Sequence, residues 1–151
     1  VEVRRATAED AEAVARLLHD FNTEFGDYTP GVAVLTERIA ALIGQATILV
    51  LLGGEGPDGL AQLQFRHSVW SGALDAYLEE LYVAPAKRSQ GMGKALLERA
   101  MDAARAAGAT RMDLATSVDD KAAIGLYERC GFTNREGLPD GPSMLFYERD
   151  L

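Results

Sequence analysis

The spacing of hydrophobic and polar positions changes along the chain, and each change marks an element. Val1 to Ala6 alternates apolar with charged residues, the period of a half-buried strand. Thr7, with Asp10 three residues on, makes a start resembling a capping box. Ala11, Val14, Ala15, Leu17, Leu18 and Phe21 then recur near the helical period, with Glu12 and Arg16 facing outward. Asn22 to Gly31 contains Gly26, Pro30 and Gly31 and reads as a loop, after which a second helix runs from about Leu35 to Ile43 and ends at Gly44. Ala46 to Leu52 is a continuous apolar run of strand length, closed by the turn-rich GGEGPDG at residues 53 to 59. Leu60 to Ser68 returns as an alternating strand with Leu63 and Phe65 on one face, which makes a hairpin with a long loop. A turn around Trp70, Ser71 and Gly72 leads to a further strand, Tyr77 to Val83, and so to three antiparallel neighbours.

A Pro-containing basic turn follows Val83, and two glycines then open an alanine- and leucine-rich helix that ends at Gly108. Arg111 to Thr116 is a short strand reached by a helical crossover, so it should run parallel to the strand ending at Val83. Ala122 to Arg129 reads as a helix stopped by Gly131, and Phe132 to Arg135 as a strand start. Ser143 to Glu148 is a last strand behind the Leu138 to Pro142 turn. The order is strand, two helices, three strands, helix, strand, helix, two strands: an α/β chain with about seven strands and about four helices.

Composition narrows this picture. A chain of 151 residues with 48% hydrophobic content is the size of one ordinary domain, expected over residues 1 to 151. The formal net charge of −8 argues against nucleic acid or an anionic membrane as partner and allows attraction of cationic small molecules. Cys130 is the single cysteine, so no intrachain disulfide forms, and with only His19 and His67 beside it no metal cluster is expected. No apolar run approaches the roughly 20 residues of a membrane span and no signal-peptide core is visible, so the expectation is a soluble cytoplasmic protein.

The chemistry concentrates between Tyr77 and Leu97. The turn before the glycine-opened helix leaves the N–H groups of Gly91, Met92, Gly93 and Lys94 without carbonyl partners, and the aligned peptide dipoles add about half a positive charge there. Gly91 and Gly93 let a phosphate approach the backbone, while Arg88 and Lys94 add charge. A P-loop is excluded, because Lys94 is followed by Ala95 and position 88 is not glycine. A dinucleotide fingerprint lacks its third glycine, since that position is Leu96.

Arg88-Ser89-Gln90-Gly91-Met92-Gly93 resembles the Arg/Gln-x-x-Gly-x-Gly/Ala pattern of the GNAT superfamily of N-acetyltransferases. Asp120-Lys121-Ala122-Ala123-Ile124-Gly125-Leu126-Tyr127-Glu128-Arg129-Cys130-Gly131-Phe132 resembles that superfamily's Asn-x-x-Ala-x-x-x-Tyr-x-x-x-Gly-Phe signature. With the element order, the resemblance covers nearly the whole chain. It implies a central, mixed, mostly antiparallel twisted sheet and acetyl-CoA as cosubstrate. It places the pyrophosphate on the Gln90 to Lys94 amides, with Arg88, Ser89 and Met92 around it. It implies that the pantetheine arm bonds the main chain of Leu81, Tyr82 and Val83 like an added strand, with Asp120 and Tyr127 as further contacts, and that the protein is a homodimer. Two positions depart from the pattern. Asp120 replaces the usual Asn and so offers an acceptor only. Ser89 replaces a common glycine, which should matter less because its side chain can turn outward or donate to phosphate.

Acetyl transfer to an amine needs two proton transfers. A lysine-like amine has a pKa near 10.4, so deprotonation at pH 7 costs roughly 4 kcal/mol and a base must take the proton. Glu79 and Glu80 are adjacent on the central strand, and adjacent strand residues point to opposite faces, so one of them serves. Glu79 is favoured: WSGALDAYLEE, Trp70 to Glu80, resembles the Trp-x-Gly and Tyr-Leu-Glu stretch of diamine and thialysine acetyltransferases, where the first acid is the base. Tyr127, the matching family position, is the general acid for the leaving thiolate. Trp70, Phe25 and Glu79 are the candidate acceptor contacts. Polyamines, diamines, amino acids, aminoglycosides and a protein N-terminus remain open as acceptors. Two alternatives stand beside the small-molecule enzyme: a module that binds acyl-CoA without turnover, and a protein or peptide N-acetyltransferase.

Overall fold

The computed structural model describes residues 1–151, which divide into two compact units, Val1–Leu114 and Ala115–Leu151. In the first unit, β1 (Val3–Arg5) leads through a single 3-10 turn to α1 (Ala11–Glu24), where the Thr7 N–H donates to Asp10 Oδ2 at 2.8 Å. α1 runs on through Asn22, so the loop before the second helix is shorter than its glycines suggest. α2 (Val32–Gly44), β2 (Leu49–Gly53), β3 (Gly59–His67), β4 (Leu74–Val83), α3 (Met92–Ala106) and β5 (Ala109–Leu114) follow.

The sheet order is β1-β2-β3-β4-β5, antiparallel except for the β4–β5 pair, which is parallel as the crossover through α3 requires. One side of the sheet carries Val50, Leu52, Leu60 and Tyr82 in a single buried cluster with Val14, Ala15 and Leu17 of α1 and Ile39 of α2. The other side receives α3, whose Met92, Leu96, Leu97, Ala100 and Ala104 are buried. α3 approaches closely because the sheet offers glycine beneath it. A Cβ on Gly59 would stand 2.9 Å from the Tyr82 carbonyl oxygen and 3.0 Å from Met92 Sδ. Gly59→Ala is therefore expected to destabilise the protein by about 1–3 kcal/mol, read as a lower urea midpoint at unchanged slope.

β3 and β4 do not pair evenly. Gln62 opposes Glu80 and Leu63 opposes Leu78, which leaves Glu79 as an extra residue in β4, a β-bulge. Beyond Leu78 the two parallel strands also part: the ladder between β4 and β5 ends at Leu78 and Leu114.

In the second unit, α4 (Lys121–Arg129) starts at Asp120, whose Oδ1 accepts the Ala123 N–H at 3.1 Å. No residue of α4 is fully buried. The strands expected at Phe132 to Arg135 and Ser143 to Glu148 do not form, so the sheet has five strands rather than about seven. Between these segments there is one bridge, Arg135 with Ser143, supported by the Met144 N–H donating to the Asn134 carbonyl at 2.6 Å. Apolar residues beside a turn give a segment the capacity to be a strand, but only a continuous ladder makes it one. Leu145, Phe146 and Tyr147 are exposed instead.

Candidate active site

The helix start predicted as an anion seat is open to a ligand. α3 begins after Gly91, which holds φ +86°, and its first internal bond is from the Ala95 N–H to the Gly91 carbonyl at 3.0 Å. The N–H groups of Met92, Gly93 and Lys94 precede that bond, and Gly91 offers no side chain to cap them. A Cβ on Gly91 would meet nothing within 4 Å, so the approach to these donors is clear. Three converging N–H groups, the helix dipole and the exposed Lys94 ammonium fit a diphosphate. Lys87 and Gln90 also border a hollow of about 320 Å³, but its lining includes Glu2, Glu55 and Asp58, the wrong sign for phosphate.

Ser89, beside the seat, has φ +62°, so the residue that replaces the family's glycine is held in a left-handed conformation that strains a side chain. The replacement thus acts through the backbone, whichever way the hydroxyl turns. Ser89→Gly is expected to stabilise the protein by about 0.5–1 kcal/mol, measurable as a higher melting temperature.

Arg88 is engaged within the protein. Its Nε donates to the Val83 carbonyl at 2.9 Å and its Nη2 to Glu24 Oε1 at 2.8 Å, while its guanidinium lies 5.6 Å from the Tyr82 ring centroid. The Tyr82 hydroxyl donates to the same Glu24 oxygen at 3.1 Å, and Phe21 stacks on the Tyr82 ring at 4.8 Å. The bond from Arg88 holds the Glu24 carboxyl below its ordinary value. One charged cluster therefore ties the end of α1 to the turn before the seat. Where β4 has left β5, the main chain from Glu79 to Val83 has no strand neighbour on that side within the sheet, and the Val83 carbonyl accepts from Arg88.

The bulge changes the reading of the two carboxylates. Adjacent residues alternate faces only in a regular ladder, and Glu79 is the inserted residue. Gln62, opposite Glu80, donates from Nε2 to Glu79 Oε2 at 3.0 Å, so one glutamine side chain marks the sheet side on which both acids gather. This is the side of Tyr82 and α1. Glu79 is exposed, whereas Glu80 is partly buried. Burial first, and then the charge of Glu79, push the Glu80 carboxyl up from 4.5 to about 7.

Two of the other expected residues are exposed. Trp70 is 98% exposed in the β3–β4 turn, and Phe25 is exposed at the end of α1 with its ring 5.4 Å from Phe21. Tyr127 is partly buried on α4, with its ring edge-on to Phe132 at 6.0 Å. Asp120 accepts a helix-capping bond, a task in which an acceptor-only side chain serves as well as Asn. Cys130 is a free thiol at the end of α4. Sequence reasoning missed Glu24 and Gln62. Gln62 left a trace, a polar letter inside the apolar stretch Leu60 to Leu63; Glu24 left none, because its partner Arg88 is 64 positions away.

The sequence profile described as the acetyltransferase (GNAT) family matches residues 6–132. A thialysine N-epsilon-acetyltransferase of Caenorhabditis elegans is 26% identical over 135 residues, covering 88% of this chain and 83% of the relative. An aminoglycoside N(6')-acetyltransferase type 1 of Stenotrophomonas maltophilia is 29% identical over 137 residues, covering 89% and 87%. A crystal structure of an acetyltransferase candidate from Arthrobacter sp. FB24 matches with a TM-score of 0.91 and 45% identity, over 100% of this chain and 97% of that one.

Proposed function

The chain belongs to the GNAT family of acetyltransferases, and from that premise we propose that it transfers an acetyl group from acetyl-CoA to a primary amine of a small cationic molecule. The observation that carries this reading is the carboxylate pair at the bulge, on the strand whose far end leads to the anion seat. The N–H groups of Met92, Gly93 and Lys94 would hold the diphosphate, and the main chain of Leu81, Tyr82 and Val83, paired with β3 but not with β5, would hold the arm, with the Val83 carbonyl already accepting from Arg88. Bound there, acetyl-CoA supplies an acetyl group activated as a thioester.

The chain's own residues then manage protons and charge. An acceptor arrives as an ammonium and is drawn by the acidic pair. Passing its proton to an ordinary carboxyl near 4.5 is uphill by about six pK units, roughly 8 kcal/mol, whereas Glu80 at about 7 reduces this to roughly 5 kcal/mol. That difference assigns the base to Glu80 and the electrostatic partner to Glu79. Glu79 thus changes place with its neighbour relative to the sequence expectation. Tyr127 is taken as the donor to the departing thiolate, supported by its place in the Asp120 to Phe132 motif. Two relatives are named for amine-bearing small molecules, thialysine and aminoglycosides, and they guide the choice of acceptors. The family resemblance also supports a homodimer, which sedimentation velocity would test.

A thiol-release assay with acetyl-CoA, run across thialysine, lysine, diamines, aminoglycosides and a free peptide N-terminus, tests the proposal. Turnover with a small amine is expected. Coenzyme binding without transfer to any of them would favour a binding module, and transfer to the peptide alone would favour the peptide enzyme.

A further inference from the structure

Gln62 has no part in the motifs, yet it is the one buried polar side chain of the chain, 7% exposed, on a sheet side where Val50, Leu52 and Leu60 are apolar and buried. We propose that Gln62 is a positioning residue: its buried amide pins the Glu79 carboxylate beside Glu80, so that the two acids meet the acceptor as one unit. The proposal rests on the transferase reading above for its catalytic meaning, but its geometry stands without it.

A buried amide without a partner costs about 1–3 kcal/mol. Gln62 recovers this by donating to Glu79 Oε2 at 3.0 Å. Glu79 in turn needs an anchor. As the bulged residue it has no opposite number in β3, and as an exposed Glu it would otherwise sample rotamers worth about 1.5–2 kcal/mol in entropy. The backbone partner of Gln62 across the ladder is Glu80. One side chain of β3 therefore fixes the spacing between two acids of β4.

The charged groups around Glu80 leave Glu79 as its main electrostatic neighbour. β4 itself offers Tyr77 and Tyr82 on this side, and β3 offers neutral Gln62 and Gln64 before Arg66, which is bound to Asp113 of β5 at 2.7 Å. α1 brings Asp20 and Glu24, which act on Tyr82, and the turn before α3 brings Arg88 to the same tyrosine. Of all these, the charge of Glu79 is the one that raises Glu80. If the pin is removed, Glu79 turns toward solvent and its hold on Glu80 weakens.

The test is an NMR titration of the Glu80 side-chain carboxyl in the full chain without substrates, paired with the pH profile of kcat/KM. Gln62→Met keeps the length and removes the donor. The Glu80 midpoint is expected to fall by about half a pH unit, part of the way to its value in Glu79→Gln, and the acidic limb of kcat/KM to move with it. In the Glu79→Gln background the same change at Gln62 should move the midpoint no further. Gln62→Asn, too short to reach Glu79, serves if the Met variant does not fold. A midpoint that stays in place in these variants while falling in Glu79→Gln overturns the proposal. A midpoint that moves in a protein with no transferase activity upholds the pin and overturns the reaction instead.

Discussion

Glu80→Gln is expected to lower acetyl transfer at pH 7 by about 10²-fold or more while making the folded protein more stable in alkaline buffer. Both effects have one origin. Burial and the charge of Glu79 raise this carboxyl from 4.5 to about 7, so the native state disfavours its anion. Relative to the unfolded chain, a raised value contributes stability that is fully present below pH 4.5 and is lost as pH rises through 7. Above 7 the native protein carries the whole burden of the anion, at most about 3 kcal/mol for a shift of this size. Gln is of similar shape and has no charge to bury. Urea unfolding should therefore show a gain for the variant at pH 8 and little gain at pH 4.5. In the wild type, kcat/KM should climb through about pH 7 as the base loses its proton. A variant that transfers at the wild-type rate, with Glu79→Gln inactive, would return the base to Glu79. One that is less stable at pH 8 than the parent would show that Glu80 is not held against its charge.

The course of β4 into α3 was legible because local rules govern it. A strand ending in Val83, a Pro-containing turn and Gly91 specify an uncapped helix start whatever the rest of the chain does. The relation between Glu79 and Glu80 was not legible, since a bulge is a property of two strands in register and nothing within YLEELYV announces that Gln62 will face Glu80 with Leu63 facing Leu78. The partners of Arg88 are hidden for a similar reason: its charge is visible in the letters, whereas Glu24 and the Val83 carbonyl meet it only after folding. At the other end, Ser143 to Glu148 carries the apolar run Met144 to Tyr147 behind a turn, as a strand can, and lacks the ladder, because composition describes a segment and pairing describes its neighbours. The positive φ of Ser89 belongs to the same class, a backbone requirement that a serine in the sequence conceals.

Lys94→Glu is expected to weaken coenzyme A binding by about 10- to 100-fold and to leave stability within about 0.5 kcal/mol. The two readouts separate because the helix start treats them differently. Lys94 lies in the first turn of α3, where the dipole favours an acid over a base. Its pairing with Glu98, at 3.6 Å between exposed side chains, is worth only a few tenths of a kcal/mol. Reversal replaces that attraction by a comparable repulsion, and the gain from the dipole offsets much of it. A diphosphate on the neighbouring N–H groups experiences a change of two charge units with no such compensation, about 1–3 kcal/mol at the dielectric of an exposed site. Screening makes the loss depend on salt, so the gap between variant and parent should narrow from 50 mM to 500 mM ionic strength. Calorimetric titration with coenzyme A, alongside urea unfolding of the free protein, measures both. Equal affinities at low salt would place the diphosphate away from this helix start, and the open donors of Met92 and Gly93 would then need another ligand.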